Sequence, residues 1–227
     1  MEKNCIKLQN AVHTGSISKW TVFFMKKILK RIALCFCAAV LIWGWGLIQN
    51  RQTLNKNILR LHVVADSDSS EDQAIKLKVR DAVLESISED LRNVGDMDQA
   101  SAYIRENLPK IEQTANKALE ALGCEDRAVA VLKEEIFDTR VYDTFSLPAG
   151  VYEALRITIG SGEGKNWWCV AFPALCVPST AEGFADVAVE AGFSETLTET
   201  LEGEYEIRFY LLDLLGRLEG ILWKQGN

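Results

Sequence analysis

Hydrophobic positions along this chain fall into three regimes. Ile32 to Ile48 (IALCFCAAVLIWGWGLI) runs without a charge behind the basic segment Met25-Lys-Lys-Ile-Leu-Lys-Arg31. A run of that length sits at the short end of what crosses a bilayer, roughly 17–25 residues. The basic flank predicts an N-terminus held in the cytoplasm and a remainder that is exported. No Ala-x-Ala precedes Gln49, and Trp43 and Trp45 suit an interfacial belt, which favours an anchor over a cleaved signal. Residues 25–50 are therefore read as signal peptide or membrane anchor. Residues 1–24, without an apolar period, are an extension, with Met25 as an alternative start.

Beyond a polar linker at 51–57, the second regime alternates strand and helix patterns. Ile58 to Ala65 (ILRLHVVA) reads as a buried strand closed by the turn-forming run Asp66-Ser-Asp-Ser-Ser70. Ser69 or Ser70 can cap the next helix, with Asp72 or Gln73 completing a capping box. Ile75, Val79, Ala82, Val83, Ile87 and Leu91 give that helix one apolar face. A second helical region starts near Asp98 and carries Ala102, Ile104, Leu108, Ile111, Ala115, Leu119 and Leu122. Pro109 predicts a kink or a new helix start within it, and Gly123 a left-handed stop. The period then changes to two around Ala128–Lys133.

Leu147-Pro-Ala-Gly150 predicts a turn before the strand Val151–Ile159. Val151, Leu155, Ile157 and Ile159 face one side of it; Tyr152, Ala154, Arg156 and Thr158 face the other. Trp167–Phe172 is expected to pair with this strand across the loop Gly160–Asn166. In the third regime, residues 177–203 read as an acidic linker and 204–227 as an amphipathic helix that packs in cis or on a partner. The expected fold is α+β, a mostly antiparallel sheet packed by helices in an exported domain at 58–176, preceded by one N-terminal membrane or signal helix.

Charge sharpens this division. The net charge of −7 hides seven Lys/Arg against one Glu in residues 1–50, and eighteen against thirty-one Asp/Glu thereafter. An acidic domain argues against nucleic-acid binding, which needs a basic surface. Export changes the reading of the cysteines: Cys5, Cys35 and Cys37 precede the exported part, whereas Cys124, Cys169 and Cys176 lie within it. Cys169 and Cys176 are the candidate disulfide, leaving Cys124 unpaired, and such a bridge would remove both thiols from nucleophilic chemistry.

Candidate chemistry is sparse. Gly160-Ser-Gly-Glu-Gly-Lys165 is not a phosphate loop: Ile159 stands where the first glycine belongs, Asn166 replaces the Ser/Thr, and a strand follows instead of a helix. His62 is the one histidine beyond the membrane segment, so a Cys/His hydrolase would have to use it with Cys169, the alternative functional reading. Neither a four-ligand zinc spacing nor a calcium loop is assembled, and no metal or cofactor is expected; in an EF-hand register, Glu71 and Leu77 occupy the Gly and Glu positions. Asp66, Asp68, Glu71 and Asp72 are better suited to capping the helix they precede. Trp167 and Trp168 alternate on their strand, so one is expected in the core and the other outward as a partner anchor.

Three blocks together resemble the stage II sporulation protein R family. They are Leu59-Arg-Leu-His-Val-Val-Ala-Asp-Ser-Asp68 with Glu71-Asp-Gln-Ala-Ile-Lys-Leu-Lys-Val-Arg-Asp81, then Leu147-Pro-Ala-Gly-Val-Tyr-Glu-Ala-Leu-Arg156, then Gly160–Cys176. Within them the motif residues are Arg60, His62, Ser67, Asp68, Asp72, Gln73, Arg80, Asp81, Pro148, Gly150, Glu153 and Pro173. The chain departs from the family pattern at Asp66, usually Asn, and at Asp138 and Ala174, where prolines are common; the tail after Cys176 matches poorly. The resemblance implies a protein made in the forespore and exported into the space between the septal membranes. There it would trigger the membrane-embedded aspartic peptidase that processes pro-sigma-E in the mother cell, as a ligand and not an enzyme. A hairpin over Val151–Phe172 is the expected contact, with Tyr152, Lys165, Asn166, Trp167 and Trp168 as partner-binding residues.

Overall fold

A computed structural model describes residues 19–142, 145–173, 188–189, 192–203 and 207–226, with side chains from residue 23 onward. It divides into two units, Met1–Trp45 and Gly46–Asn227. Helix α1 (Lys19–Asn57) supplies the described part of the first. Its apolar side chains, from Phe23 through Leu34 and Ile42 to Trp45, are exposed on every side. A helix that is apolar all round is suited to lipid, and this one is long and apolar enough to cross a membrane. It fits a membrane or signal segment near the N-terminus.

The second unit is organised by β1 (Leu59–Val64), all six residues of which are buried. The sheet order is β2-β5-β1-β6, formed with β2 (Ala128–Phe137), β5 (Gly150–Ile159) and β6 (Asn166–Phe172). β1 runs parallel to β5 and antiparallel to β6, while β2 and β5 are antiparallel, so the sheet is mixed. β5 and β6 are thus not hairpin partners, contrary to the sequence expectation, because β1 lies between them. The loop joining β5 to β6 is long enough to step over one strand, about 10 Å at ordinary strand spacing. A strand apolar on one face and carrying Arg60 and His62 on the other has to be covered on both faces, which places it in the interior of the sheet. A two-stranded ribbon, β3 (Arg140–Val141) with β4 (Ser146–Leu147), stands apart from this sheet.

One face carries Leu59, Leu61, Val63, Leu155, Ile157 and Ile159, packed with Ala128 and Ala130. It is covered by α2 (Ser70–Arg92), through Val79, Val83, Ile87 and Leu91, and by α3 (Met97–Ala121), through Ile104, Ile111, Ala115 and Leu119. α3 is a single helix that contains Pro109, whose ring is exposed and starts no new helix.

The opposite face carries Phe137, Tyr152, Ala154 and Val170. Three segments cover it: the end of α1, with Leu47 and Leu54; α4 (Glu195–Glu202), with Leu197 and Leu201; and α5 (Ile207–Gly226), with Phe209 and Leu212. Two boundaries drawn from sequence therefore move. Residues 51–57 are not a linker, because α1 continues to Asn57 and buries Arg51 and Leu54. Part of the acidic stretch 177–203 is likewise a packed helix, capped by Ser194. Both segments carry only one or two apolar positions amid polar ones, too few to show a period. The C-terminal helix packs in cis: Asp213 accepts hydrogen bonds from the Thr139 hydroxyl and from the Ala149 N–H (2.8 Å), and pairs with Arg217 (2.8 Å).

Leu61 is fully buried at the centre of the larger core. Leu61→Ala is expected to cost about 2–5 kcal/mol in urea unfolding of the detergent-solubilised chain. Val129→Ala, at an exposed position of an edge strand, should change stability by less than about 0.5 kcal/mol.

Candidate functional site

The β1–α2 turn and the β5–β6 loop are built as one clasp. Ser69 caps α2 by accepting the Asp72 N–H (3.0 Å), and the Asp72 carboxylate accepts from the hydroxyls of Ser69 (2.8 Å) and Ser67. Those two hydroxyls hold the Asp72 carboxyl below its ordinary pKa. Gln73 donates to the Ser67 carbonyl (2.8 Å). The remaining acids reach across to the other loop. Asp66 accepts from the Ser161 N–H (2.6 Å) and Asp68 from the Lys165 N–H (2.7 Å), while Lys76 donates to the Lys165 carbonyl (2.9 Å). Backbone bonds from Glu163 to Asp66 and from Gly164 to Ala65, each 3.0 Å, close the join. Gly164 is obligatory here: a Cβ would sit 2.2 Å from the Ser67 carbonyl oxygen. The acidic run thus anchors a loop as well as a helix, and the glycines let that loop approach.

This clasp delivers Lys165, Asn166 and Trp167 to an exposed corner at the start of β6. β6 is an edge strand, and its two tryptophans diverge as alternation requires. Trp167 lies beside Val63 and remains 38% exposed; Arg80 of α2 sits over its ring at 4.3 Å and pairs with Asp81 at 2.6 Å. Trp168 lies opposite His62, half-buried, stacked on the imidazole at 5.7 Å with the Arg140 guanidinium 3.5 Å from its ring centroid.

Tyr152 does not join the corner. It is 1% exposed, donates to the Pro148 carbonyl (2.8 Å) and accepts from Arg51 (2.9 Å). Its position on β5 turns it toward α1 and α5, so it is a core residue and is unavailable to a partner. Pro148 and Gly150 belong to the same buried turn, where a side chain at 150 would collide with the Arg51 guanidinium. Glu153 points the other way and bonds Arg105 (3.3 Å); Pro173 follows β6 through a cis peptide bond.

His62 belongs to a polar cluster on the second sheet face. Its Nδ1 meets Glu135 at 2.6 Å and its Nε2 meets Asn166 Oδ1 at 2.8 Å. Glu135 also pairs with Arg156 (2.9 Å) and Lys133 (3.2 Å). Burial opposes its charge, yet hydrogen bonds from His62, Arg156 and Lys133 pull the Glu135 carboxyl down to about 2. Both imidazole nitrogens are thus occupied. Cys169 is disulfide-bonded, with Cys176 outside the described residues, so it presents no thiolate and the Cys169–His62 hydrolase is withdrawn. Cys124 is free and half-buried. Sequence reading missed Glu135, Arg140, Tyr142 and Arg51. The signal for such a cluster was present in the charged Arg60 and Arg156 at inward positions of otherwise apolar strands.

Fold and site together describe an α+β protein with an N-terminal helix that fits a membrane or signal segment, and its distinctive surface is a tryptophan-bearing corner. Comparison with known proteins is specific: the family model for stage II sporulation protein R matches residues 55–182. The chain belongs to that family. Stage II sporulation protein R of Bacillus subtilis (strain 168) is 39% identical over 128 residues, 56% of this chain and 57% of the relative, so the likeness spans little more than half of each. No solved structure matches the chain.

Glu135 has a depressed carboxyl pKa, so its contribution to stability is fully present above about pH 4.5 and is lost as pH falls toward about 2. Glu135→Gln should flatten the acid limb of the stability profile between those values, read by circular dichroism. Gly164→Ala should destabilise by about 1–3 kcal/mol in urea unfolding, because backbone must move to admit the methyl.

Proposed function

We propose that this protein is an exported sporulation signal: made in the forespore, sent across its membrane into the intermembrane space, and recognised there by the membrane-embedded aspartic peptidase that processes pro-sigma-E in the mother cell. Family membership carries the sporulation role. The N-terminal helix, long and apolar enough to cross a membrane, supports delivery through one. The disulfide at Cys169 is in keeping with an oxidising compartment outside the cytosol. The protein acts as ligand and the peptidase performs the chemistry.

The observation that points to the contact surface is the corner of Lys165, Asn166 and Trp167 with Arg80. An aromatic ring held half-open by a guanidinium above it is the kind of side chain that dominates protein interfaces. The clasp presets this corner, so little conformational freedom is lost when a partner covers it. Activation further requires that the corner bind the active form of the peptidase more tightly than the inactive one. A ligand with equal affinity for both would shift nothing.

The test is pro-sigma-E cleavage in a reconstituted membrane containing the peptidase, with this protein supplied on the extracytoplasmic side. Trp167→Ala should lower the concentration-dependent activation about tenfold, the effect of losing about 1.4 kcal/mol of binding, while thermal stability changes little. Full activation by a stably folded Trp167→Ala, Lys165→Glu double variant would move the contact elsewhere. Failure of the wild-type protein to stimulate cleavage would overturn the activation role itself.

A further inference from the structure

Arg60 is the most unusual residue of the core. It is fully buried on the central strand, and its guanidinium lies 4.4 Å from the Phe137 ring centroid and 5.3 Å from that of Tyr152. These rings can stabilise the faces of the cation but not its in-plane N–H groups. One of those, at Nη2, donates to the Tyr142 hydroxyl at 2.9 Å. Nε and Nη1 have no acceptor.

Arg140, whose guanidinium lies on Trp168, leaves its own buried Nε without an acceptor as well. It is close enough to Arg60 for the two charges to repel. Glu135, on the same sheet face, has its oxygens occupied by His62, Arg156 and Lys133. Among the described residues no carboxylate pairs with Arg60 or Arg140. The Tyr142 hydroxyl, accepting from Arg60, still has its proton to donate.

Arginine stays protonated in proteins, so two neighbouring guanidiniums in an aromatic setting, with neither paired to a carboxylate among the described residues, are a strongly unfavourable arrangement. It is relieved when an anion accepts the unused N–H groups, and planar guanidinium edges suit the oxygens of a carboxylate or phosphate. We infer that Arg60, Arg140 and the Tyr142 hydroxyl form a binding site for an oxyanion, a carboxylate or phosphate group, on the second face of the sheet. Arg140 is half-buried, so the site lies close to the surface, and its side chain must shift to uncover the buried N–H groups when a ligand enters. The site is separate from the Trp167 corner and does not depend on the proposed contact with a peptidase.

The experiment is thermal unfolding of the full chain in detergent at constant ionic strength, with chloride replaced stepwise by inorganic phosphate or, separately, by acetate. A saturable rise in Tm of about 2–4 °C is expected with one of the two. The better of them identifies the group as tetrahedral or planar. The rise should vanish in Arg140→Gln, whose half-buried side chain can be replaced without opening the core. Arg60→Met, which keeps the volume and removes the charge, should likewise not respond and should melt no lower than the wild type in chloride. Absence of a saturable shift with either anion, or a shift of unchanged size in Arg140→Gln, would overturn the site.

Discussion

The structure depends on the burial of β1 between two neighbours that come much later in the chain. Its apolar side, Leu59, Leu61 and Val63, closes the core beneath α2 and α3. Its other side, Arg60 and His62, has no hydrophobic solution and must be surrounded by groups that can hydrogen-bond or cover a cation. Glu135, Asn166, Tyr142 and the rings of Phe137 and Trp168 perform that task. They come from β2, from β6 and from the residue that follows β3, so one polar pair on one strand fixes the positions of several other segments.

The clasp extends the same economy to the surface. Asp66 and Asp68 leave β1 at its C-terminal end and accept backbone N–H groups from the loop that precedes β6. The start of β6 is therefore positioned twice, by ladder bonds to β1 and by side chains from the turn after it. This explains why Trp167 can be both exposed and well placed: its backbone is rigid although its ring borders solvent. Arg80 adds a further restraint from α2, so strand, turn and helix all contribute to one corner.

Local pattern carried the elements in the sequence, and topology did not. Helical spacing located the buried faces of α2 and α3, and alternation located both faces of β5, because those periods repeat often enough to be read. The capping role of the acidic turn was legible for the same reason, since Ser69 and Asp72 stand at capping distance in sequence. Strand order was not legible. Adjacency of β5 and β6 in the chain suggested a hairpin, and nothing local shows that β1 lies between them. Burial of Tyr152 was missed because its cover, Arg51 on α1 and the α5 helix, comes from the two far ends of the domain. Glu135 was invisible as a partner of His62 for the same reason: the pairing exists only through two intervening strand registers.

The placement of β1 also bears on timing. Leu59 finds its register partners at Glu153 and Phe172, on segments synthesised long after it. A chain that emerges amino end first from the ribosome brings this strand out alone, with one flank unpaired until β5 has followed and the other until residue 172 has. Long-range pairing of that kind forms late and all together. The corner carrying Trp167 can then form only after residue 172 has emerged, long after the strand that sets its register.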